Sequence, residues 1–154
     1  VALKTPRFVA DLRKFGVVGI DSGVLIYHLE DTEPYSELTE AAFGEVAAGA
    51  IRAVVSTISA AEVLVKPFAE GKNGVIATFE RFILSFPTLF LVPPDYETSK
   101  DAARLRARYA LRTPDALLVA TARRHAARAF VTNDDGLRRV KGEGVAILML
   151  DDYV

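Results

Sequence analysis

The chain contains no cysteine. That excludes disulfides, zinc-thiolate sites and thiol catalysis, and it suits a reducing cytoplasm. Histidine is nearly absent too: His28 and His125 are the only two. Neither neighbours a second catalytic candidate in sequence, so both read as helix-surface residues rather than ligands. No apolar run approaches the roughly 20 residues of a membrane-spanning helix. The first fifteen residues, VALKTPRFVADLRKF, carry Lys and Arg and lack the apolar stretch of a signal peptide. Internal repeats, linkers and low-complexity tracts are also missing. What remains is 154 residues, 51% hydrophobic and 25% charged, enough for a single globular domain over 1–154 with its own core. Residues 1–15 form an extension ahead of the first strand, read as a vector-derived remnant or a helix packed against a partner.

Charge is uneven along the chain. From Asp21 to Glu97, 12 acids face 4 bases; from Lys100 to Lys141, 11 bases face 4 acids. Solvated helix faces account for the basic half as readily as a polyanion-binding surface does.

Five apolar runs end in polar residues at regular intervals. They are Val17 to Ile20, a run centred on Ala53 to Ser56, Leu89 to Val92, Ala129 to Thr132, and GVAILML near the end. The runs are continuous rather than alternating, as expected of strands buried on both faces of a parallel sheet. Helical patterns lie between them, at 36–48, 59–70, 74–85, 96–111 and 114–127. Pro67 kinks or ends the second of these. Alternating strands and helices predict an α/β domain with a central parallel sheet of about five strands.

Each notable acid has an ordinary role available. Asp21 precedes SGVLIYHL and caps it. Ser59 and Glu62 match the S-x-x-E capping box. In TPD, Thr113 serves as the cap, Pro114 as the first helical residue and Asp115 as a favourable charge at the helix start. TNDDG is a turn by composition, with Asp134 or Asp135 capping a short helix. Asp95 in PPDYE is of the same kind.

Taken together, the acids suggest more. Ligands of open parallel sheets bind beyond the carboxyl ends of the strands. Asp21 follows the first strand, Glu62 lies a helical turn past the second, and Asp134 follows the fourth. Those three converge on one edge. Asp115 is not placed by this rule, because two helices separate it from the preceding strand. Gathered carboxylates repel one another unless a cation intervenes. An oxygen-only set suits the hard ions Mg²⁺ or Mn²⁺, whose usual work is phosphate chemistry.

The segments VVGIDSGVLIYHLE, TISAAEVLVKP, RTPDALLVATA and FVTNDDGL, in that order, resemble the PIN-domain family, and especially its VapC-type toxins of toxin–antitoxin pairs. The resemblance implies a three-layer α/β/α sandwich with the acids clustered at the strand ends. It places the family's four acids on Asp21, Glu62, Asp115 and Asp134, with Asp135 as an adjacent carboxylate. Ser22 and Thr132 match hydroxyl positions that support the metal. The activity implied is that of a Mg²⁺- or Mn²⁺-dependent endoribonuclease, in which water attacks the scissile phosphorus and a 5′-phosphate and 3′-hydroxyl remain. Arg112, just ahead of the Asp115 motif, is the foremost candidate in the Arg104–Arg124 stretch to contact RNA. Tyr27, Tyr109 and Phe130 are candidates to stack on bases, with core packing as the competing role. The partners implied are RNA, a cognate antitoxin and a second copy of the chain. Tyr35 and Phe43, in the early helices, look exposed enough to meet a partner.

Three other functions compete. An inert PIN-like module would bind RNA or protein without cutting. A receiver-like phosphotransfer domain wants an acidic pair near the first strand and a lysine after the last, and neither is present. A phosphatase with an aspartate nucleophile wants a second Asp two residues after the first, where Gly23 stands.

Overall fold

A computed structural model describes residues 3–154. Its centre is a sheet of five parallel strands: β1 (Val17–Ile20), β2 (Arg52–Ser56), β3 (Leu89–Val92), β4 (Ala129–Thr132) and β5 (Ala146–Met149). They lie in the order β3-β2-β1-β4-β5. The chain therefore builds outward from β1 to β3, returns across the sheet, and builds outward again through β4 and β5. The order reverses between β1 and β4, which leaves a crevice at their carboxyl ends. A receiver-like domain has the order 2-1-3-4-5, so topology excludes that alternative.

Both faces of the sheet are covered, which is why its strands read as unbroken apolar runs. One face carries α1 (Thr5–Phe15), α2 (Ser22–Leu29), α3 (Ser36–Ala47) and α6 (Asn73–Ser85). Their Phe8, Leu12, Leu25, Leu38, Val46 and Phe79 pack with Val18, Ile20, Val55 and Val131 in one core. The other face carries α7 (Tyr96–Tyr109) and α8 (Thr113–Arg124). There Leu105, Leu118 and Val119 pack around Phe130 in a second core. The result is the expected three-layer sandwich. Gly19 permits the close approach of α8: an added Cβ would lie 2.5 Å from Ala122 Cβ and 2.8 Å from Phe130 Cδ2.

The helix expected over 59–70 is divided. It forms α4 (Ile58–Val63) and α5 (Val65–Ala69), hinged at Leu64. Pro67 has no N–H to give to Val63, and its ring crowds that carbonyl, so the break falls one turn ahead of it. Ahead of β1, residues 1–2 lie outside the described residues, while α1 packs on the chain itself. Phe8 and Leu12 are fully buried. Phe8 and Tyr153 pack with ring planes tilted at 52° and centres 4.9 Å apart, and Tyr153 donates a hydrogen bond to Asp11 Oδ2 at 2.6 Å. Phe43 belongs to the core, 3% exposed. The expectation that it meets a partner is thereby corrected, because it lies on the inward face of α3.

Most of the basic half pairs internally. Glu143, buried in the loop before β5, accepts from Arg104 Nη2 at 2.7 Å and from the Tyr109 hydroxyl at 2.8 Å. Arg123 bonds Asp101 at 2.7 Å. Arg106 donates to the carbonyl of Leu111 at the end of α7. These arginines tie α7, α8 and the β5 loop together. Among the described residues, no helix is long and apolar enough to cross a membrane.

Candidate active site

The crevice at the carboxyl ends of β1 and β4 opens into a cleft of about 360 Å³. Its lining includes Asp21, Ser22, Glu62, Asp115 and Asp134, with Arg112, Asn133 and Tyr27 at its sides. All four acids singled out in the sequence thus face one space, although they come from four separate segments.

Asp21 is positioned by strand pairing that runs past β1, since its backbone N–H donates to the carbonyl of Val131 at 3.0 Å. It caps α2 as its place ahead of SGVLIYHL suggests. Oδ1 accepts from the backbone N–H of Ser22 at 2.8 Å, and Oδ2 accepts from the Thr132 hydroxyl at 2.6 Å. Thr132 Oγ1 in turn accepts from the backbone N–H of Asp134 at 3.0 Å. One hydroxyl therefore joins the end of β1 to the end of β4. Asp134 caps the short 3₁₀ turn Asp135–Leu137, accepting from Gly136 N at 2.8 Å.

The capping box proposed for Ser59 and Glu62 does not form. Thr57 occupies the cap position, and Ser59 lies inside α4. Glu62 turns away from its own helix start, and its Oε1 accepts from the Ser22 hydroxyl at 2.8 Å. Ser22 Oγ also lies 2.9 Å from Ser59 Oγ. Ser22 thus ties α4 to the start of α2 at the cleft wall.

Asp115 stands in the first turn of α8, which begins at Thr113 with Arg112 at the cap position and no side-chain cap. Thr113 is thus the first helical residue rather than the cap. Because α8 packs across β1 and β2, its N-terminus reaches the crevice. Arg112 folds over this end: Nε donates to Asp115 Oδ2 at 2.9 Å and Nη2 reaches Oδ1 at 3.4 Å. Asp135 is exposed and pairs with Arg138 at 2.8 Å, so of the adjacent pair it is Asp134 that lines the cleft.

The electrostatics follow from this crowding. Burial pushes the Asp21 carboxyl up to about 6, and the charges of Asp115 and Glu62 add to the rise. Hydrogen bonds from Thr132 and Ser22 oppose it without cancelling it. The Arg112 guanidinium is pushed up, chiefly by its bond to Asp115, with Asp134 and Glu62 contributing. Among the described residues, no three His, Cys, Asp or Glu side chains are grouped closely enough to hold a metal ion as they stand. The acids share a cleft, and Arg112 is the cation on its rim.

A model of the PIN domain matches residues 18–143, from β1 to the loop before β5. The chain belongs to the PIN domain family.

Solved structures agree on the fold of this PIN domain. A chain of VapBC2 from Rickettsia felis, crystallised with a DNA fragment from their promoter, superposes with a TM-score of 0.65 at 14% identity. That match covers 86% of this chain and 98% of the other. A toxin-antitoxin complex from Klebsiella pneumoniae gives 0.62 at 22% identity, covering 84% and 95%. FitAcB from Neisseria gonorrhoeae gives 0.63 at 20% identity, covering 86% and 97%. No curated protein matches the chain.

The other candidates separate by position. His28 is half-buried rather than on the surface, packed on Phe43 and Phe82 at 4.6 and 5.2 Å between ring centres. Its proximity to those rings lowers its pKa through burial, and it does not line the cleft. His125 is exposed at the end of α8. Phe130 is core and Tyr109 is bonded to Glu143, whereas Tyr27 lines the cleft. Asn133 lines it as well, and sequence reasoning passed over it because its TND context reads as a plain turn.

Proposed function

We propose that this PIN domain is a divalent-metal-dependent endoribonuclease and the toxin of a toxin–antitoxin pair. The observation that carries the reading is the convergence of Asp21, Glu62, Asp115 and Asp134 on one cleft at the β1/β4 crevice. Asp21 is held there at an energetic cost, since its charge is opposed by burial and by its acidic neighbours. Such a cost is relieved by a cation.

The donors fit a hard ion. All are carboxylate or hydroxyl oxygens, with no sulfur or imidazole in the lining, and that set favours Mg²⁺ or Mn²⁺. Asp21, Asp115 and Asp134 would hold the ion, with Glu62 at the rim. When bound, the ion supplies positive charge against the phosphate and a more acidic attacking water.

The protein's own groups do the rest. Thr132 fixes the Asp21 carboxylate through Oδ2, and Ser22 fixes Glu62 through Oε1. Arg112, paired with Asp115 but with its side chain 75% exposed, is the cation at the cleft that would meet a substrate phosphate. Water attack that breaks the P–O3′ bond leaves a 5′-phosphate and a 3′-hydroxyl, with no call on the 2′-hydroxyl.

An antitoxin protein as partner is supported by the VapBC and toxin-antitoxin neighbours. An apolar patch also lies next to Glu62, where Ala61, Leu64, Val65 and Phe68 line a shallow groove. A homodimer belongs to the same proposal.

The test is direct. Purified protein is incubated with structured and unstructured RNA in Mg²⁺, Mn²⁺ or EDTA, alongside Asp21→Asn and Asp115→Asn. Metal-dependent cutting lost in both variants supports the enzyme. RNA binding with no cutting under any condition would leave the inert module as the answer.

A further inference from the structure

We infer that Tyr27 is the base-stacking platform of the cleft, so that the site selects an unpaired nucleotide beside the scissile phosphate. The inference rests on the ribonuclease reading above and names the substrate feature that the same site recognises.

Three observations converge. First, Gly23, Ile26 and Tyr27 all line the cleft. They lie on one face of α2, three and four residues apart, and Asp21 caps that helix. The aromatic ring is therefore carried by the same rigid element that carries the first acid. Gly23 leaves the approach open, since nothing lies within 4 Å of the place where its Cβ would be.

Second, the ring is braced from behind. Tyr27 and Tyr35 stack with ring centres 4.6 Å apart and planes within 12° of parallel. The Tyr35 hydroxyl donates to Asp151 Oδ1 at 2.6 Å. Asp151 is in turn locked to Asn133, which also lines the cleft: Asp151 N donates to Asn133 Oδ1 at 2.9 Å, and Asn133 Nδ2 reaches Asp151 Oδ1 at 3.3 Å. Tyr27 and Tyr35 pack against the core on one side, yet each is only partly buried, and Tyr27 keeps surface on the cleft. A preset ring loses little entropy when a base stacks on it.

Third, a second cleft of about 210 Å³ adjoins the first, with Tyr27 absent from its lining. It shares Arg112, Asp115 and Asp134 and extends to Arg139. Tyr27 thus lines one cleft and Arg139 the other, with Arg112, Asp115 and Asp134 common to both. A single strand laid across them would place a base on Tyr27 and the following phosphates toward Arg112 and Arg139. Bases inside a duplex cannot present a free face in this way, whereas unpaired bases stack readily on aromatic side chains.

The experiment uses the full chain and a fluorescein-labelled ten-nucleotide oligoadenylate. A matched series carries one abasic nucleotide moved stepwise along it. Affinities are read by fluorescence anisotropy in Ca²⁺, with a gel confirming that the oligomer stays intact. Tyr27→Leu keeps apolar bulk and removes the π-face; Tyr27→Phe and Tyr27→Trp keep the face. The expected result is an affinity loss of about 5- to 150-fold for Tyr27→Leu, with Phe and Trp near wild type. One abasic position should weaken wild type by the same factor and leave Tyr27→Leu unaffected. Equal loss by Tyr27→Leu on every oligomer would make Tyr27 a structural prop and overturn the inference, as would no loss at all. Tight binding of a blunt duplex in preference to the single strand would overturn it too. If wild-type protein binds no RNA, the ribonuclease reading fails first, before any variant is compared.

Discussion

Replacing Asp21 with asparagine should make the protein more stable and inactive at once. The carboxyl is buried and its pKa is pushed from 3.8 to about 6 by burial, with Asp115 and Glu62 adding repulsion. A raised folded-state pKa penalises the charged form. The stability of the neutral form is fully present below pH 3.8 and is lost as pH rises through about 6. Above that, the ionised group costs about 3 kcal/mol. Asparagine removes the charge at nearly the same shape. It keeps one acceptor for Ser22 N and presents its amide to Thr132 Oγ1, at a cost of about 1 kcal/mol for the altered bond. The net gain is about 2 kcal/mol at pH 8, or about 4–8 °C in Tm for a domain of this size. Thermal unfolding of both proteins in EDTA at pH 4, 6 and 8 reads it. At pH 4 the variant should be the less stable protein, by up to about 1 kcal/mol, and the gap should reverse and widen as pH rises. Adding Mg²⁺ at pH 8 should then raise the wild-type Tm alone, because ligand binding to the folded state stabilises it by mass action. A variant no more stable than wild type at pH 8, or a gap that is constant from pH 4 to 8, would refute the reasoning.

Three further outcomes are expected. Arg112→Ala should weaken RNA binding alike for all sequences and reduce the slope of log K against log salt by about one, measured by titration at several salt concentrations. Gly19→Ala drives a methyl group into Ala122 and Phe130, so chemical denaturation should show a loss of about 1–3 kcal/mol. Glu143, held down to about 2 chiefly by Arg104 and by Tyr109, contributes stability above its unfolded pKa that is lost as pH falls toward about 2. Glu143→Ala should therefore lower stability at pH 7 by about 2 kcal/mol and flatten the decline of stability between pH 4.5 and 2.

The strands were legible because their signal is local. VVGI, AVV and AFV are apolar without interruption, and only a sheet covered on both faces asks for that. Helix placement was equally local, except where Pro67 divided one helix at Leu64. Asp21, Glu62 and Asp134 could be gathered by one rule, since each follows a strand at its carboxyl end. The capping box at Ser59 and Glu62 shows where local rules mislead: the motif is intact, yet Glu62 prefers the Ser22 hydroxyl 40 residues away. The basic half misled in the same way, because Arg104 and Arg123 settle on Glu143 and Asp101 and leave Arg112 at the cleft.

By itself, then, the sequence determined the strands, most of the helices, the parallel arrangement and, by strand-end position, three of the four cleft acids, because hydrophobic runs and strand ends are properties of neighbouring residues. Asp115 was added only through the family resemblance. Tertiary structure decided the rest. The position of Asp115 depends on α8 crossing β1 and β2, which is set by packing over Gly19 and Phe130. Tyr27 gains its place in the cleft from a stack on Tyr35, whose hydroxyl is bonded to Asp151 near the other end of the chain. Such contacts join residues far apart in sequence, and their energies exist only once the sheet has brought them together.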